Sequence, residues 1–210
     1  MCSLEVHAKR GRHRTIAPPF RCQAGAQHST GLVIWLSIAV GIMLGQNCFV
    51  RFRGKIISWE QLPEWRAGLR AAGKKLVVTN GCFDLLHLGH VTYLENARNL
   101  GDMLLVGLNG DESVRQLKGE GRPVNAESDR AGVLSALESV DAVCIFAEVT
   151  ANRFLARAEP DIYVKGGDYT LDSVNQDERR TVEQVGGTIR IIPFVPGKST
   201  TALLKKIAAL

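Results

Sequence analysis

The chain has no C-x-x-C pair, and its five cysteines (Cys2, Cys22, Cys48, Cys82, Cys144) are odd in number and widely spaced over 210 residues. That argues against a disulfide framework and a structural zinc site and fits a reducing compartment. Cys144, inside the apolar run AVCIF, reads as a buried strand residue acting as a small hydrophobe. A basic stripe is missing too. The formal charge is +5, but residues 1–54 carry seven Lys/Arg against one acid, Glu5, while the rest carries 19 basic and 20 acidic residues. A near-neutral globular part argues against a nucleic-acid surface. Small anionic ligands stay compatible, because they need a local cluster and not a global field. Internal repeats and low-complexity tracts are absent. One domain with appendages, large enough to bury a core, is the expectation at this length.

From Lys55 onward short apolar runs alternate with helical patterns. Ser58 with Gln61 three residues later forms a capping box that opens a helix through Ala72, and Gly73 ends it. KLVVTN, MLLVGLN, AVCIF, IYVK and TIRIIPF read as five strands. Helices are expected over His90–Asn99, Asp111–Leu117, Asp129–Ser139, from Thr150 as cap to Glu159, Gln176–Val185 and Thr200–Leu210. All-apolar strands alternating with helices imply an α/β fold with a Rossmann-like, doubly wound, five-stranded parallel sheet. In such sheets ligands sit beyond the carboxyl ends of the strands, so the loops after the first, fourth and fifth strands should converge.

The stretch NGCFDLLHLGH follows the first strand. Gly81 permits a turn without Cβ strain. His87 and His90, three apart, share a face once a helix has begun. A helix start offers unpaired N–H groups and partial positive charge, which suits phosphate. Gly89 lets a bulky anion approach the backbone. Two imidazoles here can donate hydrogen bonds to phosphoryl oxygens as charge develops. Asp84 could orient a histidine or help hold Mg²⁺. The spacing C-x4-H-x2-H is not a usual zinc pattern, and no H-E-x-x-H is present.

Three further phrases carry charge or hydroxyls beside glycine. LKGEGRPVNAESDR places Lys118, Arg122 and Arg130 in or near a loop. PDIYVKGGDYT ends an apolar strand with Lys165, and Asp168 follows two glycines later. PGKSTTALL gives Gly197, then Ser199 and Thr200 opening a helix, an N-cap arrangement that also makes a second phosphate site if it faces the crevice of His87.

GCFDLLHLGH resembles the signature of the nucleotidyltransferase superfamily with an H-x-G-H motif, the cytidylyltransferase-like fold. The resemblance covers about Lys55–Leu210. It implies that His87 and His90 bind the nucleotide triphosphate and stabilise its α-phosphate, and that Lys118 contacts phosphate. PGKSTT resembles the second signature, G-x-S-T-[ST]. Asn80, Gly81, Cys82, Phe83 and Gly89 are then expected around the nucleotide with Ser199 and Thr200. LKGEGRPVN and VKGGDY are similar to one branch, the D-glycero-β-D-manno-heptose 1-phosphate adenylyltransferases of lipopolysaccharide core synthesis. Phe194 and Val195 stand where cytidylyltransferases usually carry Arg-Thr, which fits that branch. The resemblance implies ATP and a sugar 1-phosphate as substrates, Mg²⁺ accompanying ATP, and no metal-ligating side chains. Asp84, Arg122, Lys165 and Asp168 would meet the sugar phosphate or nucleotide. A separate heptose kinase would act upstream, and a homo-oligomer is compatible. A cytidylyltransferase for another phosphorylated alcohol, or a membrane-tethered nucleotide-binding module without turnover, are the competing readings.

Residues 1–54 are expected to be an unrelated basic and hydrophobic extension of a nucleotidyltransferase domain at 55–210. The apolar core Leu32–Leu44 is shorter than the ~20 residues a spanning helix needs, and it stretches to Val50 only through Gln46 and Asn47. It has the length of a signal-peptide core, but the basic lead is long and no small-x-small cleavage site follows. Either it is a signal anchor or it is upstream sequence from a misplaced start, with translation beginning at Val50. An anchor with this charge bias would place the rest outside the cytoplasm. Nucleotide chemistry favours the cytoplasm and the second reading.

Overall fold

The computed structural model describes residues 51–167, 170, 172–193, 197 and 199–209. The expectations for residues 1–50, Asp168, Phe194, Val195 and Lys198 lie outside the described residues.

Five strands, β1 (Leu76–Gly81), β2 (Met103–Asn109), β3 (Ala142–Phe146), β4 (Ile162–Gly166) and β5 (Thr188–Ile192), form one sheet in the order β3-β2-β1-β4-β5. Every pairing is parallel. Among the described residues seven helices flank it: α1 (Leu62–Ala71), α2 (Leu88–Arg98), α3 (Asp111–Lys118), α4 (Glu127–Ser135), α5 (Asn152–Ala158), α6 (Gln176–Gln184) and α7 (Thr200–Ile207). β1 to β4 are mostly apolar because both faces are covered, whereas β5, at the sheet edge, exposes Thr188 and Arg190. Successive side chains point to opposite faces. Val77 accordingly joins Leu94, Leu104, Val106 and Val164 in one core cluster, while Leu76 and Val78 join Leu105, Phe154 and Tyr163 in the other. Cys144 is fully buried, and desolvation pushes its thiol up to about 12, so it behaves as a hydrophobe.

The chain runs outward from β1 through β2 to β3, then crosses back to place β4 beside β1. β1 and β4 are therefore the adjacent strands from which the connections diverge. Their carboxyl ends, Asn80–Gly81 and Lys165–Gly166, mark the place where such sheets open a crevice.

Local chemistry accounts for most element ends. Ser58 and Gln61 exchange the two expected capping bonds, and Leu62 N–H donates to Ser58 O. Asn175 caps α6 through bonds from Asp177 N and Glu178 N, and Ser199 caps α7 through a bond from Ala202 N. Thr150 does not cap the following helix. α5 starts at Asn152 after Ala151, whose N–H donates instead to the Glu178 carboxylate 3.1 Å away. α4 occupies Glu127–Ser135, shifted from Asp129–Ser139, because Glu127 is drawn inward to accept from Asp111 N at the start of α3. Two features had no forewarning, a 3-10 turn at Arg51–Lys55 and a bridge from Ile56 to Val143 that shields the β3 edge. Among the described residues no helix is long and apolar enough to cross a membrane.

Candidate active site

The segment leaving β1 turns in an unexpected place. Gly81 ends the strand without a positive φ, and the left-handed conformation falls on Phe83, at φ 41°. A non-glycine residue held there stores strain that its surroundings must offset. They do: the Phe83 ring is buried at 8% exposure and meets the His90 ring edge-on at 5.3 Å. The need for glycine at 81 is steric and not conformational. A Cβ there would lie 3.0 Å from the Phe83 ring.

His87, in extended conformation, is the N-cap residue of α2, and no side chain caps this helix start. Its first N–H groups are thus left for a ligand or water. Gly89 is buried in the first turn. The His87 and His90 rings stack with centroids 3.9 Å apart and planes at 16°. Burial holds the His90 imidazole well below its usual range, at about 4, and the His87 ring adds to the effect. His90 Nδ1 is buried without a hydrogen-bond partner, which leaves Nε2 as the nitrogen that can meet a ligand. α2 itself is pinned to the switch point by Tyr93, whose hydroxyl pairs with Thr79 Oγ1 at 2.7 Å and donates to Val164 O at 3.0 Å.

The β4 side of the crevice holds a compact polar cluster. Lys165 Nζ lies 2.9 Å from Asn80 Oδ1 and 2.9 Å from Glu178 Oε2. Tyr163 Oη is 2.6 Å from Asn80 Oδ1 and 2.8 Å from Glu178 Oε2.

The loop after β2 and α3 closes the other side. Asp84, 4% exposed, accepts from Arg122 Nε, from Val124 N at 2.8 Å and from Asn125 N at 3.1 Å. Its carboxylate, expected to meet substrate, a histidine or Mg²⁺, is engaged in holding this loop. Arg130, counted with the cations in or near the loop, is 2% exposed inside α4. It donates to Cys82 O, Asn109 O and Asn125 O and pairs with Asp111. One guanidinium thereby ties together the ends of β1 and β2 and both flanks of the loop. Lys118 ends α3 and is exposed. Burial raises the Cys82 thiol despite the cations Lys118, Arg130 and Arg122 nearby, so it is a poor nucleophile.

α7 completes the site. Thr200 Oγ1 donates to Leu85 O at 3.4 Å, joining this helix start to the His87 segment. Every candidate residue that the structure describes lines one cleft of about 600 Å³. The loops after β1, β4 and β5 converge there, and Asn109 and Val149 bring in those after β2 and β3. Glu178 and Asn109 were missed from sequence. Asn109 had a signal, since β1 and β2 both end their apolar runs with Asn just before glycine. Glu178 had none, because it sits in the charged run QDERR, which reads as a solvated face. No group of three His, Cys, Asp or Glu able to hold a metal occurs among the described residues.

A family model described as cytidylyltransferase-like matches residues 78–205. Bifunctional protein HldE of Trichlorobacter lovleyi is 50% identical over 153 residues, which is 73% of this chain and 31% of that protein. Bifunctional protein HldE of Campylobacter fetus is 51% identical over 74% of this chain and 32% of its own length. The chain thus spans about a third of the length of these curated relatives. A crystal structure of the lipopolysaccharide core biosynthesis protein from Thermoplasma volcanium aligns with 59% of this chain and 98% of its own, at 29% identity and a TM-score of 0.49.

Proposed function

The chain belongs to the cytidylyltransferase-like family, and on that premise we propose that it is an adenylyltransferase joining ATP to D-glycero-β-D-manno-heptose 1-phosphate. The products are ADP-D-glycero-β-D-manno-heptose, a precursor for lipopolysaccharide core synthesis, and pyrophosphate. One observation carries the reading: two helix starts, that of α2 with His87 and His90 and that of α7 with Ser199 and Thr200, open on one cleft. Each offers N–H groups and partial positive charge, and together they suit a polyphosphate better than a single phosphate. The β4 phrase VKGGDY and the loop phrase LKGEGRPVN favour the heptose substrate, as do the relatives named bifunctional protein HldE.

In this reaction an oxygen of the sugar phosphate attacks the α-phosphorus of ATP. The new P–O bond forms as the bond to the β-phosphoryl bridging oxygen breaks, and pyrophosphate leaves with that electron pair. No side-chain nucleophile is needed, which suits a site whose cysteine thiol is raised. His87 and His90 donate hydrogen bonds to the α-phosphoryl oxygens, and Ser199, Thr200 and the two helix starts hold the remaining phosphates. Lys118 at the loop edge, with Arg122, offsets developing charge. The described residues fit Mg²⁺ only as a passenger on ATP. Asp84 is bonded to Arg122 and Glu178 to Lys165, so the ion would rest on phosphate oxygens and water, where it offsets triphosphate charge.

Pyrophosphate release with ATP or CTP against heptose 1-phosphate or glycerol 3-phosphate tests the proposal. Turnover confined to ATP with the heptose is expected. Preference for CTP would make it a cytidylyltransferase, and nucleotide binding without turnover with any pair would make it a binding module.

A further inference from the structure

We propose that Glu178 is a positioning residue that aims Lys165 at a substrate phosphoryl oxygen. The inference deepens the proposed function and rests on it for the identity of the anion. Glu178 is 5% exposed in the first turn of α6, and its two oxygens are divided between tasks. Oε1 accepts from Ala151 N at 3.1 Å, which anchors the carboxylate to the start of α5. Oε2 receives Lys165 Nζ at 2.9 Å and Tyr163 Oη at 2.8 Å. Tyr163 is fully buried, and its one proton serves either Glu178 or Asn80 at a time.

An ammonium has three donors. Two of those on Lys165 are directed by geometry, one to Glu178 and one to Asn80 Oδ1. Two fixed acceptors determine where a tetrahedral third donor points. The Lys165 side chain is 16% exposed and lines the cleft, so that donor is the one available to a ligand. A lysine stem alone could not hold such an aim, because it is long and rotatable. Without Glu178 the half-buried ammonium would also lose its carboxylate partner. Glu178 therefore supplies both direction and a counter-charge. A purely structural strut would need neither Asn80 nor a cleft-facing lysine.

The test is a double-mutant cycle on the full chain. Glu178→Gln keeps the size and leaves an oxygen for Ala151 N, and Lys165→Met keeps the stem. Titration calorimetry with ATP and with heptose 1-phosphate, separately, needs no turnover. Each single variant is expected to weaken binding of one of these two ligands by roughly 10- to 100-fold, the range for a charge-assisted hydrogen bond. The ligand affected identifies the anion Lys165 serves. The double variant should bind as Lys165→Met does, and the KM of the same substrate should rise in parallel. Undiminished binding of both ligands, or losses that simply add, would overturn the inference, as would a lowered melting temperature with unchanged binding. If Glu178→Gln does not fold, Glu178→Asp retains charge but withdraws the carboxylate by one methylene. Its smaller loss must vanish in the Lys165→Met background, and persistence there overturns the inference equally. Absence of pyrophosphate release by the unmodified protein would sink the proposed function alone, since the binding cycle still reads out.

Discussion

The imidazoles of His87 and His90 are stacked, with centroids 3.9 Å apart and planes inclined at 16°. Two cations at that separation repel in a partly buried site, which adds to the burial that keeps the His90 ring neutral. The stack sits at the uncapped start of α2, beside the Phe83 ring. This arrangement keeps two hydrogen-bond donors close together without the full electrostatic penalty of two charges.

Replacing either ring should then remove a donor aimed at developing charge. His87→Ala and His90→Ala are each expected to lower kcat by about 10²–10³, the loss seen when one preorganised transition-state donor is removed. Pyrophosphate release checks this, with circular dichroism and melting confirming an intact fold. Near-native turnover in either variant would remove the histidines from the mechanism.

The depressed His90 proton affinity makes a separate prediction about stability. Folded, the ring titrates at about 4, whereas the ordinary value is 6.5. Between those values the unfolded chain binds a proton that the folded protein refuses, so stability rises with pH across this window. The contribution is fully present above 6.5 and is lost as pH falls toward 4. Urea midpoints measured from pH 7 to 4 should fall more steeply for the native chain than for His90→Gln, which has no ring to titrate. Parallel curves would show that the ring is accessible to protons in the folded state.

The parallel sheet was readable because its central strands are short apolar runs, and a sheet covered on both faces demands that pattern; the edge strand β5, with Arg190 exposed, carries it only weakly. Ser58 and Gln61 announced their capping box, and Ser199 its helix start, through short-range chemistry that needs no tertiary context. Burial of charge was not readable. Arg130 stands among glycines, proline and acids, yet it is the tie between two strand ends. Glu178 lies in a run that looks solvated, yet it faces Lys165 from another element. Both depend on which residues meet across long sequence separations. The α5 start failed for the same reason: the Glu178 carboxylate took the place that Thr150 offered locally. Gly81 was rightly singled out for a wrong reason, since the positive φ lies at Phe83.

That distinction can be tested. Gly81→Ala introduces a Cβ 3.0 Å from Phe83, whose ring supports the edge of His90. The fold should survive, because 81 has no left-handed requirement, and the ring should shift by a few tenths of an ångström. Catalysis tolerates such displacement poorly. Turnover is expected to fall by about tenfold or more, with melting changed by only a few degrees. A collapse in stability with normal specific activity would contradict this account.

Arg130 should behave in the opposite way. Arg130→Met leaves Cys82 O, Asn109 O and Asn125 O without their shared donor and strands Asp111. Asp111 is a third exposed, so the cost falls on the buried carbonyls, about 1.5–3 kcal/mol for loss of hydrogen bonding to a charged group. Urea unfolding should show a loss of that size, and Arg130→Lys should restore little of it, because an ammonium cannot reproduce the planar fork.

Asp84 separates the loop from the fold. Its carboxylate accepts from Val124 N, Asn125 N and Arg122, so it holds a segment that begins at Lys118 and contains Gly119 and Gly121, both at positive φ. Asn in its place keeps the shape but must offer either its oxygen or its NH₂ to donors that all require acceptors, and it removes the charge facing Arg122. The loss of a charged hydrogen bond is worth about 1.5–3 kcal/mol. That cost falls on the loop and not on the sheet, because the strand ends are held independently by Arg130. Asp84→Asn should therefore show faster limited proteolysis between 118 and 126, a modest drop in global stability, and a lower kcat/KM as Lys118 and Arg122 lose their fixed positions. ATP at saturating concentration should slow the cleavage if these cations meet phosphate. Protection equal to that of the native loop in the unliganded variant would show that Asp84 is not what holds it.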